Sequence, residues 1–240
     1  MQINLKPLTP DFNYLLDTHT PVNANRMLPD WWKKMKRFHD PMMPEEAGNI
    51  KNCPAVRDIL TQGIVIPAWT WIKFNQTKDG LIVTSGHDGH IEGWEVTGHH
   101  TQNQIENTSV TELLIGGAIK LNCPWLIKTE ENIQTMFFDP FYNEKDRPFR
   151  LLPGVVRTDV YHNINFPMEI YPRLDIGDML IIEEGTPLIT LLPVAVDRVK
   201  LNLEKQTSRD DWHTEGNRLL SYRSERYDQV VKHSDDKKKN

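Results

Sequence analysis

From Arg147 to Val196 the chain alternates apolar and polar positions in short runs, broken by Pro153-Gly154, His162-Asn163, Gly177-Asp178 and Gly185-Thr186-Pro187. Period-two alternation with such punctuation predicts consecutive antiparallel strands joined by tight turns. The same texture begins at Ile64. IVIPAWTWIKFN, LIVTSG and HIEGWEV come first; after the polar stretch Gly98 to Asn107, LLIGGAIKLNCPWLIKT and IQTMFFDPF follow. The predicted fold is mainly β: an antiparallel sandwich or small barrel, jelly-roll/cupin-like or β-clip-like, over residues 64–206.

The flanks read differently. Residues 1–63 form a Pro-rich region in which Pro7, Pro10, Pro21, Pro29, Pro41 and Pro44 interrupt any long helix. Two short helices are expected there. Leu28 to Phe38 has Asp30 as N-cap, with Trp31, Met35 and Phe38 on one face and Lys33, Lys34, Lys36 and Arg37 largely on the other. Pro54 to Gln62 has Pro at its first position, buries Val56, Ile59 and Leu60, and stops at Gly63. Residues 207–240 predict a C-terminal helix with a charged tail. Leu220, Tyr227 and Val231 share a stripe there, and the Lys237 to Lys239 end is solvated.

Composition narrows the function classes. The 240 residues are 38% hydrophobic and include seven Trp, enough for a sizeable core. Trp69, Trp71, Trp94 and Trp125 are expected inside it. A net charge of −5 gives none of the basic excess that attracts nucleic acid. No run approaches the roughly 18 apolar residues needed to span a bilayer, and the start MQINLKPLTPDF lacks the apolar core of a signal peptide. Cys53 and Cys123, each followed by Pro, are expected as buried free thiols of a reducing interior.

The sharpest candidate chemistry lies in LIVTSGHDGHIEGWEV. Asp88-Gly89 suits a two-residue type I′ turn, which would oppose His87 to His90, Ser85 to Glu92 and Val83 to Trp94. Two imidazoles and a carboxylate on one lip are ligands for iron, manganese or zinc, as in a cupin-like oxygenase or isomerase. A polar hairpin tip in solvent is the plainer expectation. Elsewhere, Ser85, Ser109 and Ser221 sit in no nucleophile elbow, and Gly116-Gly117 lacks the Lys-Ser/Thr of a phosphate loop. Glu183-Glu184 reads as a solvated turn. No catalytic residue and no organic cofactor is assigned.

Two resemblances add context. Pro153 to Val194 resembles the last part of the deoxyuridine triphosphatase family through Gly154, Val155, Val156, Asp159 and Tyr161, with Gly185 and Leu191 near the end. Arg157 stands where that family's pattern has its first acidic residue. The resemblance implies a β-clip-like topology and nucleotide binding or hydrolysis. The segments LPDWWKKM, NCPAVRDILTQGIVIPAWTWI, NCPWLIKTEENIQTMFFDPF, PGVVRTDVYHNINFPMEI and IIEEGTPLITLLPV together resemble an uncharacterised family of tailed phages, including phages of marine bacteria, and of some marine bacteria. It implies a viral setting, in host cytoplasm or virion. The reading that results is a phage-associated, non-enzymatic binding or structural protein acting through self-association and protein partners.

Overall fold

Alternation becomes strand wherever inward positions find a facing sheet. A computed structural model describes residues 1–36, 50–87, 91–100, 119–143, 147–170, 174–197, 201, 203, 235 and 236. Its strands are β1 (Ile3–Pro7), β2 (Val22–Asn23), β3 (Ile64–Pro67), β4 (Ile72–Thr77), β5 (Gly80–Ser85), β6 (Thr97–His99), β7 (Ile119–Thr129), β8 (Ile133–Phe138), β9 (Phe149–Leu151), β10 (Gly154–Val156), β11 (Asn163–Ile170), β12 (Met179–Ile182) and β13 (Pro187–Ala195). The α-helices are α1 (Asp30–Lys34) and α2 (Pro54–Thr61). None of the described helices is long and apolar enough to cross a membrane.

Among the described residues all pairings are antiparallel and fall into three sheets, ordered β1-β7-β11-β9 with β6 also on β7, β10-β8-β13-β3-β2, and β12-β4-β5. Among the described residues the sheets stay open, which agrees with the sandwich form of the prediction and not with a closed barrel. The long strand β7 explains part of this. β11 takes one edge over Ile119–Leu126, while β6 (at Ile119–Leu121) and β1 (at Trp125–Thr129) share the other.

The compact unit that holds these sheets comprises Met1–Met27 and Gln62–Asp197. Its core takes alternate residues: Ile119, Leu121, Cys123, Trp125 and Ile127 from β7, Ile164, Phe166 and Met168 from β11, and Leu180 and Ile182 from β12. Phe12 and Leu15, on the 3-10 turn Pro10–Leu16, are fully buried in the same core. Two strands of this unit precede Ile64, where the sequence predicted none. β1 and β2 are short, and the prolines beside them masked their alternation.

Strand parity corrects the tryptophan expectation. Trp69 and Trp125 are each 1% exposed, and Trp94 is half-buried with its ring 4.7 Å edge-on from Phe12. Trp71 is 39% exposed. The chain bends at Trp69-Thr70, after which Ile72 and Phe74 take the inward positions of β4, so Trp71 falls on the outward parity.

Leu28–Thr61 belongs to a second compact unit. There α2 starts at Pro54 and buries Val56 and Leu60 with Ile59 partly covered, as its pattern predicts. α1 is shorter than expected and differs in its face. Pro29 precedes it, Asp30 is its first helical residue, and Trp32 is the buried ring, packed with Val56 and Leu60. The Lys51 ammonium donates to the carbonyls of Trp32 and Met35, both at 2.9 Å, and so closes the helix end. Both cysteines are free, but Cys53 is exposed just ahead of α2 while Cys123 is buried in β7. The expected C-terminal helix lies outside the described residues apart from Asp235 and Asp236.

Candidate binding site

The expected hairpin takes another partner. β5 pairs with β4 across the turn Thr77–Gly80, which the Thr77 hydroxyl stabilises by donating to Gly80 O at 2.7 Å. Ser85 therefore lies opposite Ile72 and Val83 opposite Phe74. Residues 91–96, with Glu92 and Trp94, run as turn and bend. The predicted pairings of Ser85 with Glu92 and Val83 with Trp94 are not made. Asp88, Gly89 and His90 lie outside the described residues.

His87 instead joins the N-terminal turn. Its Nε2 is 2.6 Å from the Tyr14 hydroxyl and 3.4 Å from the Trp69 carbonyl, and its ring meets Phe12 edge-on at 6.4 Å. His19 is hydrogen-bonded to Glu184 close by. Burial, and then the Glu184 charge, hold the Tyr14 phenol above its ordinary pKa. Among the described residues no three His, Cys, Asp or Glu side chains gather where a metal ion would fit.

Asp159 braces a corner. Arg157 grips it with two bonds, Nε to Oδ1 at 2.8 Å and Nη2 to Oδ2 at 2.6 Å, and the Asn132 N–H adds a third to Oδ2 at 3.1 Å. The Arg157 guanidinium is the main reason this carboxyl stays below the ordinary range. Beneath it, the Thr158 hydroxyl bridges those of Thr129 (2.8 Å) and Thr135 (2.7 Å), linking the turn to β7 and β8. Arg157, standing in an acidic position of the deoxyuridine triphosphatase pattern, thus converts Asp159 into a structural ligand of the β7–β8 turn.

The most site-like feature was not singled out from sequence. Where β8 ends, Phe138-Asp139-Pro140-Phe141-Tyr142 turns away, and the chain re-enters at Arg147 to form β9. Between these segments and β11 lies a cavity of about 480 Å³, within the range of small-molecule sites. Arg147 builds its wall. Its Nη1 donates to Pro187 O at 2.6 Å and its Nη2 to Leu188 O at 3.3 Å, while Asp139 lies 3.4 Å away. Its guanidinium also covers the Phe149 ring at 4.1 Å. Asp139 in turn accepts the Leu151 N–H at 3.2 Å.

Phe138 and Phe141 stack with centroids 5.5 Å apart and planes 21° off parallel, and Phe141 is 55% exposed. On the sheet side of the cavity, β9 sets Arg150 opposite Glu169 of β11. The Glu169 side chain is 9% exposed and the Arg150 side chain 57%, with Nη1 and Oε1 4.0 Å apart. The chemistry is a stacking surface, a guanidinium at the mouth and a carboxylate inside. The available signal was the density of rings and charges in FFDPFYNEKDRPFR around two prolines, where regular strand cannot continue.

No family model and no curated protein matches the chain. Among solved structures it is similar to a mutant dUTPase from phage phi11 of S. aureus, described for its coordination of a structural Mg(II) ion. Identity there is 7% and the TM-score 0.36, over 86% of this chain and 99% of that one. A second structure, of the dUTPase from phage phi11 of S. aureus, described for its species-specific insert, gives 8% identity and a TM-score of 0.34, over 86% and 98%.

Proposed function

We propose that the chain is a phage-associated binding protein that holds a small ligand in the cavity beside β9 and meets protein partners, including further copies of itself, through exposed sheet faces. The cavity carries this reading, because it combines stacked rings with a solvent-facing guanidinium at its mouth. The site's other acid, Asp139, is engaged by Arg147 and a backbone N–H, as Asp159 is elsewhere, which favours holding a ligand over acid–base chemistry. The outer face of β12-β4-β5 supports the partner half. Met179, Asn75 and Ile82 form one cross-strand row there, and Met179, Ile181 and Ile82 are exposed.

A second reading, nucleotide binding on a β-clip-like frame, draws on the same cavity. A base needs a ring to stack on and a phosphate needs a guanidinium. Thermal-shift screening of the intact chain against nucleotides and other planar anions, with light scattering to size the protein, tests the proposal. Stabilisation by such ligands, lost in Arg150→Ala, is expected; a clean monomer that no ligand stabilises would overturn it. Stoichiometric iron, manganese or zinc lost in His87→Ala would carry the oxygenase or isomerase reading instead.

A further inference from the structure

The outer face of β12-β4-β5 is built like a contact surface. Ile72 and Phe74 of β4 are buried in the core, so Trp71, Lys73 and Asn75 point away from it. Strand register extends that face on both sides. Met179 and Ile82 flank Asn75, and Ile181 and Thr84 flank Lys73. Four large apolar side chains share it: Trp71 is 39% exposed, Ile181 45%, Ile82 52% and Met179 54%. A sheet face turned to water normally alternates to polar residues.

Gly86 fixes the tryptophan on this face. Its N–H donates to the Trp71 carbonyl at 3.3 Å, which sets the two residues opposite each other just beyond the β4–β5 pairing. A Cβ at Gly86 would come 2.5 Å from Thr70 Oγ1 and 2.9 Å from Trp71 Nε1. Gly86 is not left-handed, so these close approaches, and no special φ, are what ask for glycine there. An exposed aromatic ring already held in place loses little freedom when a partner covers it.

The face also carries one charge of each sign. Lys73 lies half-buried at its centre, and Glu183, exposed just past Ile182, continues the outward parity of β12. Among the described residues neither side chain makes a hydrogen bond or an ion pair. An acidic partner would answer Lys73 and repel Glu183, and a basic partner would do the reverse. A second copy of the same face supplies both signs, and one two-fold operation makes both pairs at once.

We infer that this face is the contact between two copies of the chain, with Lys73 of each set against Glu183 of the partner subunit and Trp71, Ile181, Met179 and Ile82 covered between them. The inference rests on the self-association half of the reading above and names its surface and its charge pair.

Sedimentation equilibrium of the intact chain over a wide range of concentration tests it. The parent should pass from monomer to dimer mass. Lys73→Glu and Glu183→Lys each oppose like charges at both contacts and should raise the dissociation constant at least about tenfold. Combining the two exchanges the signs and should bring it back to within about threefold of the parent. Trp71→Ala, which removes the exposed anchor, should also weaken the dimer by about tenfold or more. Circular dichroism checks that each variant is folded. A parent that stays monomeric throughout overturns the inference, and the wider reading falls with it only if the thermal-shift panel is also silent. If the parent dimerises and neither the charge reversals nor Trp71→Ala weaken it, another surface is in use; the assignment of this face is overturned while self-association stands. If the single reversals weaken the dimer and the combination fails to restore it, the Lys73–Glu183 contact is overturned.

Discussion

The Tyr14 hydroxyl lies 2.6 Å from Nε2 of His87, tying the 3-10 turn near the N-terminus to the end of β5 across 73 positions of sequence. Nearby, His19 makes the same kind of tie to Glu184 beside β13. The N-terminal segment is thus held by polar contacts at its rim and by Phe12 and Leu15 beneath.

Tyr14 should titrate above the ordinary phenol value of 10.0, burial being the larger cause and Glu184 the second. With its folded pKa raised, its contribution to stability is complete below about pH 10 and is lost as pH rises through the folded pKa. Glu184→Gln removes one cause, so Tyr14 should titrate lower than in the parent yet still above 10.0. Phenolate absorbance, taken as the difference from Tyr14→Phe, checks this; an unchanged pKa would count against the Glu184 contribution.

The Arg157–Asp159 pair predicts the opposite pH sense. Asp159 is held below its ordinary 3.8, so its stabilising effect is present above that pH and is lost as pH falls through the folded pKa. Arg157→Ala should therefore be less stable than the parent at neutral pH, with the gap closing in acid. Urea midpoints across a pH series would show it; curves that stay parallel would mean the pair contributes nothing pH-dependent.

Gly63 tolerates no side chain. It stands at φ +82°, and a Cβ there would come within 2.3 Å of the Leu191 carbonyl oxygen. Gly63→Ala combines left-handed strain with a backbone clash and should cost about 2 kcal/mol or more, read as a lowered denaturation midpoint. A near-neutral result would mean that the β3–β13 pairing can shift to make room.

The two thiols should react at very different rates. Cys53 is exposed, whereas burial pushes Cys123 up to about 12 and leaves it 1% exposed. A thiol-reactive chromophore should label one cysteine in the native protein and both in denaturant. Fast labelling of Cys123 in the native state would show that β7 opens readily.

Core truncation gives a baseline for these effects. Phe166 is fully buried, with its ring 4.9 Å edge-on from Phe137. Phe166→Ala should cost about 3–5 kcal/mol in urea unfolding. A loss below about 1 kcal/mol would imply that the two sheets collapse onto the vacated space.

Local chemistry decides what a short window of sequence can reveal. Period-two alternation made β7, β11, β12 and β13 legible, and Pro54 with Val56 and Leu60 made α2 legible, because covalent geometry alone sets which side chains share a face. Tertiary structure decided the rest. Residues 91–96 run as turn and bend, so β5 pairs with β4 alone among the described residues. Trp71 turned outward because one bend reset the parity of a strand. Asp159 became a brace because Arg157 lies within reach across a two-residue turn. The cavity was legible only as a surplus of rings and charges around Pro140 and Pro148. Glu169 and Arg150, separated by 18 residues of intervening chain, become neighbours only through β9–β11 pairing. Alternation is a property of the chain itself, whereas a site needs distant strands in register, and register is fixed by the burial of the whole core.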